Sequence, residues 1–308
     1  MEFCMKRLSL IPVFIVVICF LFPRTAAAGV LDGLELWYKR LVPSLFPFAV
    51  AGNMLVATGA LDGLRGLNAV ARWIGIPAAG TKALAVGAVS GYPVGAQISA
   101  ELVESGQIKR NDLGRVAALA SLCSPMFMVA TVGVGMMDNA KVGVIVLLCH
   151  YLAHIVAYKL VFRTRNEYKV ESDVLNIVQG RSLGALLRDS IDKAARTLVG
   201  VCGYIVLFSL IGRLLSKVPY LGTDAVAVIS TVLEMSSGCA GIAKSTLPIA
   251  VRVGLLCFAV SWGGACVNMQ IAGFVGEGGG SVTSVVLFKL TKGLIALAVG
   301  YIVSALVL

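Results

Sequence analysis

The stretch Ser90-Gly91-Tyr92-Pro93-Val94-Gly95-Ala96-Gln97 (SGYPVGAQ) interrupts an apolar run with two glycines and a proline. Glycine weakens a helix through backbone entropy, and proline through its missing N–H and its ring. In lipid a helix break is costly, because no water reaches the freed backbone groups. It survives only where protein surrounds it or where it lines a wet cavity. Whether these eight residues kink a helix or turn the chain back therefore decides the fold.

The surrounding chain is built for a bilayer. Of its 308 residues, 58% are hydrophobic and only 14% charged. A soluble domain of this length does not hide so much apolar surface. The apolar runs are continuous rather than alternating, which points to an all-α polytopic membrane protein and not to a barrel. Candidate membrane segments fall near 41–60, 78–103, 113–136, 142–162, 197–216, 223–244, 249–274 and 293–308. The net charge of +10 reads as basic cytoplasmic loops rather than as a site for nucleic acid.

The N-terminus carries Lys6 and Arg7, an apolar core from Leu8 to Phe22, and then TAAAG. That pattern belongs to a cleaved signal peptide or to a retained span. We divide the chain into this N-terminal segment (1–34), a first repeat (35–162), a basic cytoplasmic linker (163–196) and a second repeat with the last span (197–308). The second half of the linker reads as an amphipathic surface helix. The eight cysteines include no CxxC pair, so neither a zinc site nor a disulfide framework is indicated. His150 and His154 stand at i, i+4 without a third ligand nearby in sequence, and read as packing groups.

The two repeats share an order of features. Each opens with a basic lead-in and a span: WYKRLVPSLFPFAVAGNML in the first, DKAARTLVGVCGYIVLFSL in the second. An apolar segment with small polar residues follows, SGYPVGAQ in one and Glu234-Met235-Ser236-Ser237-Gly238-Cys239 in the other. A second interruption comes next: Ser121-Leu122-Cys123-Ser124-Pro125, then Gly263-Gly264-Ala265-Cys266-Val267-Asn268. If both 78–103 and 223–244 are re-entrant hairpins, most Lys and Arg fall inside, with Lys289 and Lys292 counted among them. The first hairpin then opens from the inside and the second from the outside, an inverted-topology repeat of the kind found in secondary transporters.

Broken helices expose N–H groups at one new end and C=O groups at the other, which suit anions and cations respectively. The expected solute-binding residues are therefore Ser90, Gly91, Tyr92, Gly95 and Gln97 on one wall. Ser124, Ser236, Ser237, Gly238, Asn268 and Gln270 form the other. Glu234, an acidic residue inside an apolar run, is the candidate for coupling to a proton or Na⁺. No other cofactor and no metal is expected. Lys82, Lys244 and Arg252 are the nearest basic residues to the hairpins. No HExxH, GxSxG or P-loop occurs, so the chain does not read as an enzyme.

Three blocks, LELWYKRLVPSLFPF, AVSGYPVGAQISAELVESGQIKRNDLGRVAALASLCSPMFMVATVGVGM and LEMSSGC with SWGGACVNMQ, resemble the sporulation integral membrane protein family of YlbJ type. That family lies in the nucleoside-recognition or gate domain group, and the resemblance runs from about residue 35 to 275. It implies two gate repeats, a retained first span, and a place in the outer forespore (mother-cell) membrane. It also implies export of dipicolinic acid, a small planar dicarboxylate, from the mother cell. The chain departs from the family pattern at Leu122, Cys123 and Ser237, where asparagine is usual, and at Asn268, where histidine is. The expected partners are a small anionic solute and the lipid bilayer, with a homo-oligomer left open. A nucleoside or nucleobase carrier on the same scaffold is the alternative function. A non-transporting scaffold of the spore envelope is another.

Overall fold

The apolar runs become helices in a computed structural model that describes residues 10–62, 64–162 and 182–308, with no strand among them. Helix α1 (Leu10–Leu21) is followed by α2 (Pro23–Leu36), which starts with proline at a position where its missing N–H costs nothing. A π-helical turn, Trp37–Leu41, joins α2 to α3 (Val42–Ala57) without breaking the rod. The amphipathic α4 (Arg65–Ile74) ends on Gly75 in the left-handed conformation. Then come α5 (Gly80–Ser90), α6 (Val94–Glu104) and α7 (Arg110–Ala120). A π-helical stretch, Phe127–Val134, precedes α8 (Ala140–Val161). The second half contains α9 (Leu183–Leu215), α10 (Thr223–Leu233), α11 (Met235–Ala243), α12 (Ile249–Trp262), α13 (Gly264–Glu277) and α14 (Val282–Val307).

Among the described residues, five stretches are long and apolar enough to cross a bilayer. They are Pro23–Ala57, Ala140–Val161, Leu183–Leu215, Ile249–Glu277 and Val282–Val307. The protein is a multi-pass, all-helical membrane protein. Segments 78–103 and 223–244 do not run straight. Each folds into two short antiparallel helices whose outer ends meet. Lys82 at the start of α5 hydrogen-bonds Gln107 just beyond α6, at 3.1 Å. Asp224 at the start of α10 accepts from the backbone N–H and the hydroxyl of Thr246, at 3.2 and 2.7 Å. The first pair turns at Gly91, whose φ of +80° suits glycine, and the second at Glu234.

In each half the second interruption packs on the tip of the short pair. A Cβ on Gly91 would lie 2.9 Å from the Ser124 nitrogen, and one on Gly264 2.9 Å from the Glu234 Cα. Glycine is required at both places because backbone meets backbone. The C-terminal carbonyl of α7, on Ala120, is received between Gly87 and Gly95, and a Cβ on either would overlap it. The rod α2–α3 lies on α9 through Gly29 and Gly33, each with room for no more than hydrogen against the Leu210 and Val206 backbone. This is the small-xxx-small contact by which membrane helices approach closely.

Some boundaries differ from the sequence reading. The expected surface helix in the second half of 163–196 and the expected span 197–216 form one uninterrupted helix, α9, of 33 residues. Residues 163–181 and 1–9 lie outside the described residues. The last span begins at Val282 rather than near 293, which draws Lys289 and Lys292 into the helix. Segment 113–136 is interrupted: α7 ends at Ala120 and irregular backbone runs from 121 to 124.

The Gly87 and Gly95 contacts yield a stability prediction. Gly87→Val or Gly95→Val is expected to lower stability by about 1–3 kcal/mol through overpacking. Gly184→Ala, where nothing lies within 4 Å, is expected to be neutral or stabilising by about 0.5–1 kcal/mol through helix propensity. Melting of the purified protein in detergent checks this, and equal midpoints for all three would remove the clamp from the account.

Candidate functional site

The sequence SGYP ends α5 because Gly91 leaves the helical region and Pro93 cannot donate to the preceding turn. Ser90, fully buried, donates to the Phe48 carbonyl at 2.8 Å and fastens the tip to α3. Tyr92 points the other way, into the protein. Its hydroxyl donates to the Val260 carbonyl and lies 3.5 Å from the Met235 sulfur, so one tip touches the other.

At the second tip Glu234 is the N-cap of α11. Its two carboxylate oxygens accept from the backbone N–H groups of Ser236 and Ser237, at 2.8 and 2.6 Å. Those donors and the helix dipole give partners to a carboxyl group on a residue only 2% exposed. The C-terminus of α11 is matched by a cation: Arg252 donates to the carbonyls of Ile242, at 3.2 Å, and Ala243.

Between the tips is a cavity of about 30 Å³, room for a few waters and not for an aromatic ring. Gly91, Tyr92, Ser124, Glu234, Ser236 and Gln270 line it, so six of the expected residues from both halves converge. Cys123, Cys266, Leu41, Leu45, Val201 and Ile205 contribute the more apolar parts of the wall. The other expected residues do not face this space. Gly95 packs under the Ala120 carbonyl, and Gly238 packs on the Thr231 backbone within the short pair. Gln97 bridges Glu101, at 3.1 Å, and Thr197, at 2.6 Å. Asn268 braces the glycine break by donating to the carbonyls of Trp262 and Gly264, at 3.1 and 2.7 Å. Ser237 faces a different recess.

Three spaces follow one another along α9. A recess of about 220 Å³ adjoins Arg196, Thr197, Gly200, Val201 and Tyr204, with Gln270 and Glu277 opposite. The central cavity adjoins Val201 and Ile205. A recess of about 700 Å³ adjoins Ser209, Gly212, Arg213 and Ser216, and is completed by Asp32, Lys39, Arg40, Ser237 and Lys244. From Arg196 to Ser216 a helix rises about 30 Å, the thickness of a hydrocarbon core. Val201 and Gln270 belong to both the smaller recess and the centre. The first turn of α11 separates the centre, which Ser236 faces, from the larger recess.

Sequence reasoning missed the basic groups behind this cavity. Lys289 and Lys292, both 0% exposed, come from α14. Lys292 donates to the Ser121 carbonyl at 3.0 Å, capping the end of α7. The Lys289 ammonium lies 4.4 Å from the centre of the Tyr92 ring and has no hydrogen-bond acceptor. His150 accepts from the Cys123 N–H at 3.2 Å and meets the Ser261 hydroxyl at 3.0 Å, while the His154 and Phe288 rings stand nearly perpendicular, 5.1 Å apart. The available signal was the apolar run from Val282 to Phe288, which places these lysines within a span rather than before it. The basic residues named from sequence sit at the periphery: Lys82 pairs with Asp62, and Lys244 lines the larger recess.

No family model matches the chain, and no solved structure matches it. Among curated proteins, the sporulation integral membrane protein YlbJ of Bacillus subtilis (strain 168) is similar, at 25% identity over 305 aligned residues. The alignment covers 83% of this chain and 72% of that protein. That similarity and the blocks quoted above support a YlbJ-type assignment for the chain.

Proposed function

We propose that this protein is a secondary carrier of the sporulating cell that moves a small planar anion, dipicolinate, out of the mother cell by alternating access. In this reading the chain comprises two inverted gate repeats. The α5–α6 and α10–α11 pairs are re-entrant hairpins that enter from opposite faces of the outer forespore membrane. The observation that carries it is the row of three spaces along α9, wide at both ends and closed in the middle by the two hairpin tips. A channel would be continuous and a structural bundle would be filled. A path closed at its centre is what a carrier shows between its two open states.

The anion is supported by charge and by family. The larger recess holds Lys39, Arg40, Arg213 and Lys244 against Asp32 and Glu35, a basic excess that raises the local concentration of anions. Dipicolinate itself comes from the family resemblance, and the relative's name places the family in sporulation. Glu234, whose carboxylate caps α11 at the cavity wall, is the coupling site for a proton or Na⁺. One observation favours a second reading. The central cavity of about 30 Å³ admits no ring in this conformation, as expected of a non-transporting scaffold.

Flux through the purified protein separates these readings. Proteoliposomes are expected to accumulate dipicolinate under a proton or Na⁺ gradient. Uridine flux without dipicolinate flux would make the protein a nucleoside carrier, and no flux of either would favour the scaffold. Glu234→Gln keeps acceptor oxygen at the cap and removes the charge, so accumulation driven by the gradient should be lost while downhill exchange persists. Unchanged accumulation would take Glu234 out of coupling. For topology, cysteines at the exposed positions Ser105 and Gly222 should react with an impermeant maleimide from opposite sides. Labelling from one side alone sinks the inverted arrangement.

A further inference from the structure

Among the described residues, the Lys289 ammonium is a buried charged group without a hydrogen-bond partner. It has three donors and uses none, although it is fully buried in a membrane-crossing helix. Neither it nor Lys292 has an ion-pair partner among the described residues. A buried lysine without a counter-charge costs about 3 kcal/mol or more in a bilayer. Lys292 offsets that cost on the Ser121 carbonyl and has a structural role as a helix cap. Lys289 has only the face of Tyr92, a contact worth about 2 kcal/mol when desolvated. A leucine or methionine would fill the same space without the penalty.

The position of the ammonium explains its retention. Tyr92 covers it on the cavity side and is itself part of the cavity wall. A Cβ on Gly263 would stand 2.9 Å from Nζ, so glycine leaves the space around the ammonium open. The neighbouring Gly264 abuts Glu234, so the buried cation and the buried carboxylate-bearing residue flank one glycine pair. Cys123 and Cys266 line the same cavity as Tyr92. The charge is one side chain away from the place where the two hairpin tips meet.

We infer that Lys289 is the counter-charge that selects and holds the solute's carboxylate, with Tyr92 as its cover in the empty state. The anion takes the place of the aromatic face, and an ion pair replaces the cation–π contact. This assignment rests on the carrier reading above. It concerns a residue that none of the sequence motifs contains, on the last helix rather than on either hairpin.

The test compares Lys289→Met, Lys289→Arg and the unaltered protein in proteoliposomes and in detergent. Lys289→Met is expected to lower dipicolinate influx at least about tenfold, the worth of a charge-assisted contact. Lys289→Arg should restore part of it. The melting midpoint of Lys289→Met should equal or exceed that of the unaltered protein, since an apolar chain replaces an unpaired buried cation. Influx within about twofold of normal, or a lowered midpoint, overturns the assignment and makes the lysine structural. If the unaltered protein carries uridine and no dipicolinate, the assignment fails while the carrier reading stands. If it carries neither, the carrier reading fails. Melting then decides for the lysine alone: a lowered midpoint overturns a non-structural role, and a raised one supports it.

Discussion

Every broken helix at membrane depth must find partners for the backbone groups it frees. Among the described residues the helices break in this way at Gly91, at 121–124, at Glu234 and at Gly263, and the rest of the structure follows from satisfying those ends. Charge is placed according to the helix dipole. A carboxylate, Glu234, meets the N-terminus of α11, while cations, Lys292 and Arg252, meet the C-termini of α7 and α11. Glycines do the remainder by letting backbone approach backbone at Gly91, Gly264 and Gly87. The breaks collect in one place because isolated breaks could not be satisfied in lipid.

That requirement ties stability to the site. The groups that close the backbone ledger are the ones that surround the central cavity, so polar chemistry in the core is present for structural reasons. Against that background the informative atoms are those with nothing to satisfy. The Gln270 side-chain oxygen and the Lys289 ammonium are buried without a partner, an acceptor and a cation around the same space.

Much of this could be read in the sequence, and the failures have physical causes. The breaks at SGYP and EMSSGC were legible because Gly, Pro and an acidic residue are conspicuous in an apolar run, and their order recurs. Six of the residues chosen on that ground do line one cavity. Ser90, Gly95, Gly238 and Asn268 have backbone partners instead, because composition does not tell which way a side chain faces around a turn. The charge count places Lys289 and Lys292 outside the spans because it takes lysines to end them. Inside the span Lys292 meets a buried carbonyl and Lys289 a ring face. The 196/197 boundary dissolved into α9 because charged residues such as Arg188, Asp192 and Lys193 change a helix's surroundings without interrupting its hydrogen bonds.

The length of α9 has a mechanical consequence. Its 33 residues extend about 50 Å, against a hydrocarbon core of about 30 Å, so its first turns stand clear of the acyl chains. Asn53 and Trp37 grip the N-terminal half by its carbonyls at Ser190 and Leu198, and Val201 and Ile205 on the same rod form part of the cavity wall. A pull or tilt applied at Ser182 reaches that wall through continuous hydrogen-bonded backbone. The membrane interface and the closed centre are two points on a single lever.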